Sequence, residues 1–174
     1  IESQECKERD KTLEAIQDRI LWLSVNMVDY ANNVRPNPDG VKVGGHQASS
    51  ASVVTVMTYL YFEYMRQGDQ ISIKPHASPV YHAIQYLLGN LNVGYLKQFR
   101  AFRGLQSYPS RTKDPDGVDF STGSVGIGGV APNFSAMAEE YTRSHFDYQT
   151  GPDRRYISLL GDAELDEGSV WEAI

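Results

Sequence analysis

The stretch that most constrains the fold is Tyr156-Ile157-Ser158-Leu159-Leu160-Gly161-Asp162-Ala163-Glu164-Leu165-Asp166-Glu167-Gly168. A short apolar run stops at a glycine and then releases four carboxylates within six residues. An apolar run of this length, bounded by a turn residue, reads as a strand, so the acids leave it at one edge of a sheet. Two physical readings of those acids stand side by side. Magnesium takes oxygen ligands in near-octahedral geometry and is usually held by one or two carboxylates plus phosphates, which four acids at a turn suit. Asp162 equally suits capping a helix expected over residues 165–174, because acids in a first helical turn are favoured by the helix dipole.

The rest of the chain supplies a setting for that turn. From residue 8 to residue 33 the apolar positions Leu13, Ile16, Ile20, Leu23, Met27 and Tyr30 recur at three- and four-residue spacings, the mark of one amphipathic helix face. Arg35-Pro36-Asn37-Pro38-Asp39-Gly40 breaks the pattern, so residues 1–40 are read as a leading helical segment with a linker, and 41–174 as the body of a domain. Small residues from Gly44 to Ser52 lead into 53–62, apolar nearly all round, which predicts a helix buried on every side. His46, at its start, fits either a core histidine with satisfied hydrogen bonds or a ligand-facing one. Residues 70–75 read as a short strand ended by Pro75, with His76 in the loop at its carboxyl end, where open α/β sheets bind ligands. His82, farther along the following helix, reads as packing or solvated.

Residues 96–105 form a basic stretch, and 108–117 a loop rich in turn residues. Then 119–129 gathers four glycines and three hydroxyls ahead of a helix expected over 131–146. A glycine-rich approach to a helix amino terminus offers backbone donors to a polar or anionic group, and glycines also let helices pack closely. The spacing matches neither the Walker pattern nor the dinucleotide fingerprint. The repeated order of strand, polar loop and helix predicts an α/β domain with a largely parallel sheet flanked by helices.

Five segments, in this order, resemble the amino-terminal, diphosphate-binding domain of thiamine-diphosphate enzymes of the transketolase superfamily, with the homodimeric pyruvate dehydrogenases nearest. They are Gly44-Gly45-His46-Gln47-Ala48-Ser49, Lys74-Pro75-His76-Ala77-Ser78-Pro79, Gly104-Leu105-Gln106-Ser107-Tyr108-Pro109, Ser121-Thr122-Gly123-Ser124-Val125-Gly126-Ile127-Gly128 and Gly161 to Gly168. The resemblance covers residues 43–174. It implies thiamine diphosphate and magnesium as cofactors, with Asp162 as a magnesium ligand, Gly161 and Ala163 beside it, and Gly123, Ser124 and Val125 offering backbone to the aminopyrimidine. It implies that His46 and His76 face the thiazolium and the substrate, and that Glu167 lies at a dimer interface between two active sites. The activity implied is decarboxylation of pyruvate, a 2-oxo acid, with transfer of the acetyl unit to a lipoyl-bearing acyltransferase of a multienzyme complex. The alternatives are a transketolase moving two-carbon units between sugar phosphates, and a non-catalytic domain of the same fold. Ala163 stands where the family has the second glycine of Gly-Asp-Gly.

Charge and ends complete the expectations. A net charge of −6 argues against nucleic acid or an anionic membrane as partner. No run is long enough to span a bilayer, and the first residues lack the pattern of a signal peptide, so a cytoplasmic location is expected. The single cysteine, Cys6, lies in a charged segment. The chain starts without methionine and stops at Ile174, inside an expected helix. It is therefore expected to be a piece of a longer protein, incomplete as a catalyst without its further metal ligand and partner domain.

Overall fold

The computed structural model describes residues 4–146 and 153–174. The chain divides into two compact units, one formed by Ile1–Met65 with His76–Ser107, the other by Arg66–Pro75 with Tyr108–Ile174.

The first unit is helical. Helix α1, Gln4–Asp29, continues through a π-helical turn at Tyr30–Val34, as the spacing predicts. Its second half carries the buried face: Ile20, Leu23, Met27 and Val28 are all 6% exposed or less. Short helices α2, Gln47–Ala51, and α3, Val54–Tyr59, follow, and α4, Ser78–Leu87, packs against α1, α2 and α3. Burying an aliphatic side chain fully stabilises by about 1.5–3 kcal/mol, and α4 does this on all sides, every residue from Ser78 through Gln85 being buried. The helix expected to be buried all round was instead the one over 53–62. Met57 there is fully buried, but Val56 and Tyr59 are half-exposed, because helix packing covers only one side of α3. A four-residue helix α5, Val93–Leu96, begins at Asn92, whose side-chain oxygen accepts from the Gly94 N–H.

The second unit is α/β. Strands β1, Gln70–Ser72, and β2, Tyr156–Ser158, pair in parallel with Gln70 opposite Tyr156 and Ser72 opposite Ser158. Helix α6, Ile127–His145, packs on both strands. It starts four residues before the expected position because Gly126 takes a left-handed conformation (φ 81°) and turns the chain into the helix there. Gly128 and Gly129 therefore belong to its first turns, and they let it come close: a methyl group on Gly128 would lie 2.8 Å from the Ser72 hydroxyl. The other side of β1 is met by Asp119, whose carboxylate accepts the Ile71 N–H at 2.9 Å. Burial pushes this carboxyl above its ordinary value, against the pull of the Ile71 N–H and the Arg111 charge. Beyond β2 a 3₁₀ turn, Asp162–Asp166, precedes α7, Gly168–Ala173. Among the described residues no helix is long and apolar enough to cross a membrane.

Candidate functional site

The residues singled out in the sequence fall into both units. In the first, His46 is the extended residue that opens α2, and His76 lies in a 3₁₀ turn, Pro75–Ala77, just before α4. Their rings stack with centroids 4.3 Å apart and planes 19° from parallel. His46 is exposed and His76 half-buried, so neither is a core histidine. That role falls to His82, fully buried on α4 with its ring edge-on to Tyr81. The backbone ahead of His46 is held by Asn32, whose amide donates to the Gly44 carbonyl and accepts the Gly44 N–H, each at 2.9 Å. Nothing in the sequence marks Asn32, a polar residue next to a second asparagine near the end of a helix.

In the second unit the remaining candidates converge at the carboxyl ends of the strands. The turn over 123–126 precedes α6, with Ser124 and Val125 exposed. Gly126 brings this turn against the start of α7: a methyl group on it would lie 2.9 Å from Cβ of Glu167 and 3.0 Å from Cγ2 of Val170. Glu167, half-buried, is the extended residue that opens α7. Tyr108 reaches the same turn, its hydroxyl 3.4 Å from that of Ser124.

The acidic turn itself separates its four carboxylates. Asp162 is exposed and, among the described residues, its carboxylate has no hydrogen bond or ion pair, so it caps no helix. The residue that closes the turn is Glu164. It is 6% exposed, and its Oε2 accepts the Gly161 N–H at 2.8 Å while its own N–H donates to the Gly161 carbonyl, the glutamate half of a capping box closed by a backbone bond, since Gly161 has no side chain to accept. Burial raises the Glu164 carboxyl above its ordinary value, opposed by the Gly161 N–H and the Lys74 charge. The Lys74 stem lies beside Gly161, with Cε 3.1 Å from where a methyl group on Gly161 would sit. Ala163 does not take a positive φ, so a side chain in place of the family's second glycine costs no strain there. In the sequence, one acid among four carries no local mark of which will be buried.

Chemically, the second unit presents the exposed Asp162 carboxylate, a lysine and an exposed backbone turn at the carboxyl ends of parallel strands, the usual ligand position in α/β sheets. Among the described residues no cluster of three metal-ligating side chains occurs. A cation held at Asp162 would therefore draw its other ligands from water, from an anionic ligand or from residues outside those described.

No family model matches the chain. Individual relatives do. The chain is 32% identical over 162 residues, 88% of its length, to the pyruvate dehydrogenase E1 component of Cupriavidus necator. It is 33% identical over 159 residues to that of Mycolicibacterium smegmatis, and 34% identical over 141 residues, 75% of its length, to transketolase-like protein 2 of Mus musculus. By fold and sequence together the chain is similar to one segment of the pyruvate dehydrogenase E1 components and of a transketolase-like protein, and a thiamine-diphosphate-dependent, E1-like fragment fits. It spans 17% and 16% of the two bacterial relatives and 21% of the mouse protein.

Proposed function

We propose that the chain is the diphosphate-side part of a thiamine-diphosphate- and magnesium-dependent enzyme that decarboxylates pyruvate and passes the acetyl unit to a lipoyl carrier. The observation that carries this reading is the exposed carboxylate of Asp162, without a partner among the described residues, at the carboxyl end of β2, on a turn closed by Glu164 and next to a lysine. A magnesium ion bound to a diphosphate needs few protein ligands and keeps several waters, so one free carboxylate with open space fits it. The Lys74 charge suits the anionic partner of that ion.

Thiamine diphosphate, when bound, supplies the carbon nucleophile that decarboxylation of a 2-oxo acid requires. Asp162 would hold the magnesium. Gly123, Ser124 and Val125 would present backbone N–H and C=O groups to the aminopyrimidine. Gly161 and Ala163 would lie beside the ligand on either side of the acid. His46 and His76 would donate hydrogen bonds to the substrate carbonyl oxygen as it gains charge, and would move protons near neutral pH. Glu167 would lie at the interface of a homodimer. In this reading the whole protein is cytoplasmic and works with a lipoyl-bearing acyltransferase of a multienzyme complex.

Pyruvate with thiamine diphosphate, magnesium and an artificial electron acceptor, given to the full-length protein, tests it: carbon dioxide release with reduction of the acceptor is expected. Transfer of two-carbon units between sugar phosphates without carbon dioxide release would favour the second reading, a transketolase, which the similarity to transketolase-like protein 2 supports.

A further inference from the structure

Glu164 is the one acid of the turn that is both buried and half satisfied. One oxygen, Oε2, accepts the Gly161 N–H at 2.8 Å. The other, Oε1, is shielded from solvent and has no hydrogen-bond partner among the described residues. A buried carboxylate oxygen without a donor carries the full cost of its desolvation, a cost that a solvent-exposed side chain does not bear. Glu164 does not rotate out, because its other oxygen is locked into the reciprocal bond with Gly161 and the Lys74 stem lies across Gly161 on the same side. The chain thus holds an acceptor in reserve two residues from the free carboxylate of Asp162.

We infer that Glu164 is the positioning residue of the metal turn: it fixes the Gly161 backbone, and with it the direction of the Asp162 carboxylate, and its second oxygen takes a hydrogen bond from a water of hydration of the bound cation. The inference rests on the proposed metal role of Asp162. Outer partners of this kind orient the direct ligands of a metal, and their loss typically lowers metal affinity by about 10–100-fold.

Manganese, a paramagnetic substitute for magnesium, is titrated into the full-length protein in the presence of thiamine diphosphate, and binding is read from water-proton relaxation rather than from turnover. Glu164→Ala is expected to weaken manganese binding roughly 10–100-fold. Glu164→Gln should fall between Glu164→Ala and the unaltered protein, since its amide oxygen still accepts from Gly161 while its amide nitrogen cannot accept from a metal-bound water. Where Glu164→Ala does not fold, Glu164→Asp, too short to reach the Gly161 N–H, carries the same expectation. Asp162→Ala separates this inference from the reading it rests on. If Asp162→Ala leaves manganese affinity unchanged, the metal role itself falls. If Asp162→Ala abolishes binding while Glu164→Ala binds within twofold of the unaltered protein, or Glu164→Gln binds as weakly as Glu164→Ala, the positioning role alone is overturned.

Discussion

The two ends of the small parallel sheet treat their acids in opposite ways. At the amino ends, Asp69 precedes β1 and Arg155 precedes β2. The Asp69 carboxylate accepts from Nε and Nη2 of Arg155, from the Arg155 N–H and from the Arg66 N–H, all between 2.6 and 2.9 Å. Its side chain is 2% exposed. At the carboxyl ends, Asp162 is exposed with no partner among the described residues, and Glu164 keeps one oxygen in reserve. A carboxylate whose lone pairs are filled from within the chain has nothing left for a ligand, whereas one left open contributes little to folding and keeps its full capacity to bind. The same chemistry thus builds the fold at one end of the strands and stays available at the other.

The sharpest way to break this contrast is Asp69→Ala. It leaves a part-buried guanidinium and two backbone N–H groups without their acceptor. Removing one partner of such a pair is more damaging than the pair is worth, so a loss of about 3 kcal/mol in unfolding free energy is expected, read as a fall in the urea midpoint. Metal affinity of the protein that remains folded should stay within about twofold. A large loss of affinity at unchanged stability would show that the amino end also serves binding.

Acid gives a gentler version of the same test. Burial works to raise the Asp69 carboxyl, but the hydrogen bonds from the Arg155 side chain, the Arg66 and Arg155 backbone, and the Arg155 charge outweigh it and bring it from 3.8 to about 2. A folded value below the unfolded one means that the stabilisation is present above pH 4 and is lost as pH falls through about 2. Arg155 keeps 29% of its side chain in solvent, which screens the pair, so the loss is roughly 1–2 kcal/mol. Asp69→Asn should flatten the stability profile in that window, and a profile that keeps its slope would assign the acid sensitivity to another carboxylate.

Gly126→Ala probes the link between the exposed turn and the acidic segment. The added methyl group meets Cβ of Glu167 at 2.9 Å, and the residue would have to keep a left-handed φ of 81°. A cost of about 1–2 kcal/mol is expected, together with weaker thiamine diphosphate binding, because relief of the clash displaces either the 123–125 backbone or Glu167. Calorimetric titration with the cofactor measures the second effect. Unchanged affinity at reduced stability would separate the glycine turn from the binding surface.

The α/β class and the parallel pairing were legible because both strands are short apolar runs stopped by Pro75 or Gly161, and because the intervening stretches carry helical spacing. The long α1 was legible for the same reason. Three things were not. The start of α6 lies ahead of where composition predicts it, since Gly126 to Gly129 carry loop-like composition and only the packing against Ser72, Leu160 and Val170 reveals why small residues belong inside a helix. Burial all round went to α4 rather than to α3, a matter of which neighbours arrive, and periodicity says nothing about neighbours. At the site, residue types and spacing pointed to Asp162, His46 and His76, but the supporting Asn32 and Glu164 act through backbone groups of distant or adjacent residues that have no signature of their own. Sequence exposes residues that must be of one chemical type for a ligand more readily than those that hold a backbone in place.

Asp162→Ala has the smallest expected effect on the fold and is for that reason the most informative. Deleting an exposed carboxylate without a partner should change the stability of the ligand-free protein by no more than about 0.5 kcal/mol. Adding magnesium and thiamine diphosphate at about a hundred times their dissociation constant should raise the stability of the unaltered protein by about 2.7 kcal/mol, and that increment should be absent from Asp162→Ala. Thermal unfolding of the two proteins, with and without ligands, gives all four values in one experiment. An Asp162→Ala protein that is destabilised without ligand would mean that the carboxyl end of the sheet uses its acids as the amino end does. One that keeps the full ligand increment would mean that the open carboxylate is not where the metal binds.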